Sequence, residues 1–244
     1  MKAVVTAGGR IAGAYARESG TNVKALVAVR GVSMLDRILD ALRGAGATRI
    51  AVVGGEEVRA ACRDRVELFV DEAPTGAQNL LLALRAWPDD GQSLIYATSD
   101  MPYVTTDAVG EFLARVPDGH VALPLAEIRD FEARFPGAPP CGITLAGECV
   151  VNGDVFYVPA SCIERVADVA GRLFDARKHP WQMARLIGPR MLVRFLFRRL
   201  GIAHLERHAH RVLGAPAIAV RGCRPELAFD ADTAADYRYA STHV

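Results

Sequence analysis

Apolar runs of strand length alternate with helical patterns through the first half of the chain. Residues 2–7, 49–53 (RIAVV), 66–70 (VELFV) and 93–98 (SLIYAT) read as strands. Residues 33–45, 56–63 and 76–87 between them, and 105–116 after the fourth, carry helical spacing. In 33–45 the apolar positions Met34, Leu35, Ile38, Leu39 and Leu42 share one face, and Gly44 and Gly46 end the helix. Such alternation predicts an α/β fold whose mostly parallel sheet is covered on both faces. Ligands of such sheets bind outside the carboxyl ends of the strands. Two polar features stand there: the glycine turn Gly8-Gly9-Arg10 after the first strand, and Ser99-Asp100 after the fourth.

The second half is less regular. Residues 119–125 read as a strand, and 142–146 with 149–158 as an antiparallel pair around Gly147. From 160 to 213 the pattern is helical, interrupted at His179-Pro180, Gly188-Pro189 and Gly201. Strands at 216–221 and 226–230 then lead to a closing helix capped by Asp232 or Thr233. The expected organisation is one domain over 1–244, with 160–213 as a helical insertion.

The glycine turn leaves bare backbone N–H groups that can close on a phosphate. It matches neither familiar phosphate motif. Gly13 is followed by Ala14-Tyr15, where a P-loop needs Lys-Ser/Thr, and Gly8 to Gly13 does not spell GxGxxG. An ordinary strand–helix turn is the alternative on this evidence alone.

Composition narrows the classes. Of 244 residues 51% are hydrophobic, enough for a sizeable core, which argues against disorder. Five scattered cysteines without a CxxC pair predict reduced thiols and a cytoplasmic protein. No apolar run approaches the roughly 18–20 residues of a membrane span. The net charge of +1 conceals an asymmetry: residues 172–212 hold ten Lys/Arg and two Asp/Glu. That segment suggests peripheral contact with an anionic surface such as lipid headgroups, or a cover over a ligand pocket. Arg190, Arg194 and Arg198 share one helix face, and the alternative is a solvated face over an apolar stripe. Nucleic acid is not expected, because no aromatic platform accompanies the charge. His204, His208 and His210 read as surface histidines, since their order is not HExxH.

An ordered set of motifs resembles the MobA-like nucleotidyltransferases. Thr6-Ala-Gly-Gly-Arg10, Asn22-Val-Lys-Ala-Leu26 and Gly31-Val-Ser-Met-Leu-Asp-Arg37 are similar to that family's opening loop, lysine and first helix. Asp71–Gly76 is similar to its acidic residue before a Gly-Pro turn, and Leu94–Tyr103 to its strand ending in C-D-M-P-F. Val151–Tyr157 resembles the strand lining its acceptor pocket, and Phe229–Tyr237 its D-T-P-E-D-L segment. One departure stands out: fourteen residues separate Gly9 from Lys24, where the family has about eight, and Arg10 follows Gly9 directly.

The resemblance implies a three-layer α/β/α Rossmann-like nucleotidyltransferase (glycosyltransferase-A-like) fold. It also implies Mg²⁺-dependent transfer of NMP from an NTP, GTP or CTP favoured, to a phosphorylated small-molecule acceptor with release of pyrophosphate. Two anions must meet in that reaction, so charge neutralisation and in-line positioning carry it. Asp100, at a strand end before Met101-Pro102, is the expected first carboxylate for Mg²⁺, which favours a few carboxylates plus phosphate oxygens. Asp232 is the second by resemblance, with Asp230 supporting or replacing it. Lys24, Asp100 and Arg10 form the implied catalytic set. Ala7, Gly8, Gly9, Arg10, Lys24, Asp71 and Gly76 are the implied nucleotide contacts, and Asn152 the acceptor contact. The molybdenum-cofactor guanylyl- and cytidylyltransferases are the relevant branch, although the helical block and altered loop argue for another acceptor. Two other readings remain: a catalytically silent nucleotide-binding or regulatory module, and a sugar-nucleotide-dependent transferase. The latter lacks its D-x-D, since Ser99-Asp100-Met101 stands after the fourth strand.

Overall fold

The computed structural model describes residues 1–62, 64–176 and 188–243. The His179-Pro180 interruption and 177–187 of the basic segment lie outside the described residues.

The first half runs β1 (Lys2–Thr6), α1 (Gly13–Ser19), a short hairpin β2 (Ala28–Val29) and β3 (Val32–Ser33), and α2 (Met34–Gly44). It continues through β4 (Arg49–Gly54), α3 (Glu56–Ala61), β5 (Leu68–Asp71), α4 (Gly76–Leu84), β6 (Leu94–Thr98) and α5 (Thr106–Ala114). Every strand and helix expected in this half is present, with ends shifted by three residues or fewer. Strands β5, β4, β1 and β6 lie side by side and parallel. Their Val and Ile side chains are buried on both faces: Val5, Val52 and Ile95 pack against α2 and α5, while Val4, Ala51 and Val53 pack towards α4.

Beyond them come β7 (Val121–Glu127), α6 (Ile128–Arg134), β8 (Ile143–Leu145), β9 (Glu148–Asn152) and β10 (Val155–Val158). Next are α7 (Ile163–Ala176), α8 (Pro189–Leu196), α9 (Ile202–Leu213), β11 (Ala217–Val220) and α10 (Ala234–Thr242). Strand β10 inserts antiparallel between β6 and β7, and β11 runs parallel to β7. The sheet is therefore mixed and mostly parallel, with helices on both sides. Among the described residues no helix is long and apolar enough to cross a membrane.

Two expectations need correction. The strand drawn over 149–158 is two strands, β9 and β10. At Gly153 a side chain would come 2.6 Å from the Leu227 carbonyl, so the chain bends where another segment crosses it. The strand expected at 226–230 is that crossing segment. Pro225 starts a 3₁₀ turn to Leu227, and the backbone bonds then go to single partners instead of a ladder: Leu227 C=O accepts from Asp154 N–H at 3.0 Å, and Ala231 N–H donates to Asp100 C=O at 3.0 Å. Of the two caps expected for α10, Asp232 or Thr233, the structure uses Thr233. Its hydroxyl accepts from Asp236 N–H at 3.3 Å, and the Asp236 carboxylate accepts from Thr233 N–H at 2.7 Å. The Asp232 side chain is thereby released from helix capping. Thr233→Ala should cost about 1 kcal/mol, measurable as a lowered urea midpoint at unchanged slope.

The crossing segment is anchored by aromatic packing. Phe229 is 3% exposed and sits among Tyr103, Phe135 and Tyr239, with ring centroids 5.0, 5.0 and 5.6 Å away. Tyr15 adds a buried O–H donated to the Ala231 carbonyl at 2.9 Å. Residues 230–232 are thus held on both sides.

Candidate active site

Strand order turns back at β1. From it the chain goes outward to β4 and β5, then returns to β6 on the other side. Such a switch point leaves a crevice beyond the carboxyl ends of the two central strands. The register pairs Thr6 with Thr98, so Ala7-Gly8-Gly9 and Ser99-Asp100 leave the sheet together. A cavity of about 710 Å³ lies there, lined by Gly8, Gly9, Arg10, Lys24, Glu72, Gly76, Asn79 and Asp100 among others. Its floor carries a hydrogen bond between Thr6 Oγ1 and Tyr96 Oη at 3.0 Å, and burial pushes the Tyr96 phenol up to about 12.

The long stretch from Gly9 to Lys24 does not separate them. Helix α1 absorbs much of it, ending at Gly20 with φ 74°. The two ends then pair as a short antiparallel bridge: Lys24 N–H donates to Gly9 C=O and Ile11 N–H to Asn22 C=O, both at 2.9 Å. The extra residues form a side excursion closed at its base, and Lys24 returns beside the glycine turn.

Lys24 Nζ donates to Asp100 Oδ2 at 2.5 Å and to Asp232 Oδ1. Burial opposes its charge, but the two carboxylates outweigh that and raise the ammonium above its ordinary value. A second carboxyl pair adjoins this one. Asp154 and Asp230 share a hydrogen bond; burial first, then Asp154 and the charges of Asp100 and Asp232, pushes Asp230 well above the usual carboxylate range. Asp154 is raised too, again mainly by burial. Burial and the neighbouring carboxylates thus favour the protonated form of the Asp154–Asp230 pair. Asp230, expected as a supporting or alternative ligand, bonds Asp154 and keeps its Oδ1 without a partner.

These groups fit a divalent cation. Lys24 bonds Asp100 and Asp232, the Asp154–Asp230 pair adjoins them, and Asp100 Oδ1 and Asp230 Oδ1 are buried without a hydrogen-bond partner. Among the described residues no three His, Cys, Asp or Glu side chains form a ready cage. A cation here would draw on Asp100 and Asp232 and take its remaining ligands from substrate and water, as Mg²⁺ commonly does.

Two expected nucleotide contacts lie elsewhere. The Asp71 carboxylate pairs with Arg59 at 2.6 Å and does not line the cavity. Its neighbour Glu72 does, accepting from Arg10 at 2.6 Å, with Glu57 a further 3.4 Å partner of the guanidinium. Alternation along an extended chain sends adjacent side chains to opposite faces, so an error of one residue exchanges them. Ala7 is fully buried and contributes no lining surface. Gly76 does line the cavity, at the start of α4, whose cap Thr75 accepts from Gln78 N–H at 3.3 Å. Asn79 was missed: it is 6% exposed, and its Oδ1 accepts from Ala73 N–H at 2.6 Å, pinning the loop that carries Glu72. Asp154 was also missed, since only the crossing of two distant segments brings it to the site. Asn152 lies in a neighbouring cavity of about 360 Å³, which Asp230 and Asp232 also line.

Gly8 packs closely against two side chains. A β-carbon there would meet the Glu72 carboxylate and come 2.7 Å from Asn79 Nδ2. Gly8→Ala should weaken NTP binding about tenfold, read by calorimetry, by displacing both side chains into the cavity.

The model of the MobA-like NTP transferase domain family matches residues 3–238. The bifunctional protein GlmU of Xanthobacter autotrophicus is 33% identical over 150 residues, which is 59% of this chain and 31% of that protein. The chain thus matches about a third of that relative's length. A hypothetical transferase structure from Thermus thermophilus superposes with a TM-score of 0.82 at 30% identity, covering 97% of this chain and all of that one. Rv0371c of Mycobacterium tuberculosis, in complex with manganese, shares the fold at TM-score 0.54 and 18% identity, over 100% and 98% of the two chains. Glycine turn, lysine and carboxylates all lie within the matched region, and this chain belongs to the MobA-like NTP transferase domain family.

Proposed function

We propose that this chain is an Mg²⁺-dependent nucleotidyltransferase that moves NMP from an NTP, GTP or CTP first, to a phosphorylated small-molecule acceptor. An acceptor phosphate oxygen attacks the α-phosphorus, the bond to the bridging oxygen breaks, and pyrophosphate leaves with the electron pair. One observation carries the reading: the Lys24 ammonium sits between Asp100 and Asp232 beside the Gly8-Gly9 turn, while a buried Asp100 oxygen lacks a partner.

The backbone N–H groups of Gly8 and Gly9 are suited to hold phosphate oxygens, and the start of α4 at Gly76 adds further donors on the opposite wall. Lys24 and Arg10 offset the triphosphate charge. Arg10 is 41% exposed in its side chain and is held by two carboxylates, so a polyphosphate would compete for it. A divalent cation on Asp100 and Asp232 would neutralise charge at the α-phosphate and fix its orientation. Asn152, across Asp232 from the nucleotide cavity, orients the acceptor phosphate. Helices α7 to α9 are then an insertion into a single catalytic unit.

The test is pyrophosphate release from a panel of NTPs and phosphorylated acceptors, with and without EDTA. Release that needs NTP, acceptor and divalent cation together supports the reading. Tight NTP binding without release across a broad panel removes it and favours a silent binding module.

A further inference from the structure

Asn152 also lines a third cavity, of about 410 Å³, between α9 and the sheet. That volume falls within the roughly 300–1,000 Å³ of small-molecule pockets. Its wall is almost wholly apolar, formed by Leu123, Leu145, Phe156, Leu205, Ala209 and Ile218 among others. The carboxylate on that wall, Glu206, is already engaged: its Oε1 accepts from Ala219 N–H at 2.9 Å. Such a space suits hydrocarbon and not water, which needs two to four polar partners. Through Asn152 it adjoins the cavity that holds Asp232.

Helix α8 stands next to this space. Met191 packs with Leu125, Leu145 and Ile202, on the strands and helix that wall the cavity. The rest of α8 and the residues after it face solvent: Leu196 is 70% and Phe197 73% exposed, with Val193 and Phe195 both above half. Arg190, Arg194, Arg198 and Arg199 intersperse them, and no acidic residue occurs from 188 to 205. Bulky apolar tips among guanidinium groups match the interface of an anionic bilayer.

We propose that the acceptor is an amphiphile: a phosphate monoester on an aliphatic or isoprenoid chain, with the chain in the cavity under α9 and the phosphate at Asn152. The transfer step rests on the function proposed above; the binding site does not. Helix α8 points to a bilayer as the source of the acceptor.

The probes are n-alkyl phosphates from butyl to decyl, titrated calorimetrically below their micelle concentrations in MgCl₂. Each methylene that enters the cavity should tighten Kd about fourfold, the equivalent of ~0.8 kcal/mol. Ala209→Trp, which fills the cavity from a half-buried helix position, should weaken decyl phosphate at least tenfold and leave NTP binding unchanged. Leu205→Trp serves the same purpose if circular dichroism shows the first variant unfolded. Equal Kd across the series, or decyl phosphate bound by the filled variants as tightly as before, overturns the inference. Chain-length dependence without pyrophosphate release from decyl phosphate and any NTP removes the transfer reading and keeps the site. Release with a hydrophilic sugar phosphate and a flat alkyl series does the reverse. Where the series shows chain-length dependence, sedimentation with phosphatidylglycerol vesicles, but not with phosphatidylcholine alone, identifies a bilayer source. The same dependence without sedimentation identifies a free amphiphile.

Discussion

Asp100→Asn should lower pyrophosphate release by about 10³-fold while leaving the fold intact. The substitution keeps the shape and removes one charge, so the effect is electrostatic. Asn offers a divalent cation a neutral amide, and it can no longer form the ion pair that holds Lys24 at 2.5 Å. Losing one preorganised electrostatic contact commonly costs about 10²–10³ in kcat, and here two contacts depend on one carboxylate. The backbone is unaffected, because the Asp100 carbonyl accepts Ala231 N–H whatever the side chain. Turnover within tenfold of the unsubstituted enzyme would remove Asp100 from the metal site. A thermal midpoint lowered by more than about 8 °C, roughly 2 kcal/mol for a chain of this size, would show damage to the fold instead.

Lys24→Met should lower kcat/KM about 10²–10³-fold and make stability depend on divalent cation. Met retains most of the stem but leaves Asp100 and Asp232 facing each other with no cation between them, beside the Asp154–Asp230 pair. In the unsubstituted protein Lys24 occupies those carboxylates, and an incoming cation must compete with it. The variant should therefore gain more thermal stability from MgCl₂ than its parent. Equal gains in the two proteins would show that Lys24 and the cation do not share these oxygens. The two substitutions should also be non-additive, since both act on one ion pair.

Strands β1, β4, β5 and β6 were legible because each is a short apolar run, and the helices α2, α3, α4 and α5 between and after them carry helical spacing. Residues 2–7 and 93–98 become the central parallel strands, and register alone brings the glycine turn and Asp100 together. Lys24 was named from a motif whose spacing did not fit, and a local bridge accounts for the mismatch. Helix α1 was missed because Gly13–Ser19 is short, has no side-chain cap and buries only Tyr15. The exchange of Asp71 for Glu72 is a one-residue alternation error where no buried face marks the phase: Asp71 is exposed and Glu72 half-buried.

The run at 226–230 failed for a different reason. Its apolar residues are buried, as a strand's would be, yet its backbone satisfies Asp154 and Asp100 instead of a neighbouring ladder. Hydrophobicity reports burial and does not report which partner takes the hydrogen bonds. The same crossing sets the electrostatics of the site, because it places Asp230 against Asp154, seventy-six residues earlier.

Sequence alone determined the α/β alternation, the glycine turn, the basic segment and the candidate carboxylate at 100, since each is a property of consecutive residues. Tertiary structure decided what those groups face. Strand order put the crevice between β1 and β6, and a closed excursion returned Lys24 to Gly9. Capping by Thr233 released Asp232 to meet it. Charge, burial and cavity shape depend on distances between segments far apart in the chain, and folding sets those distances.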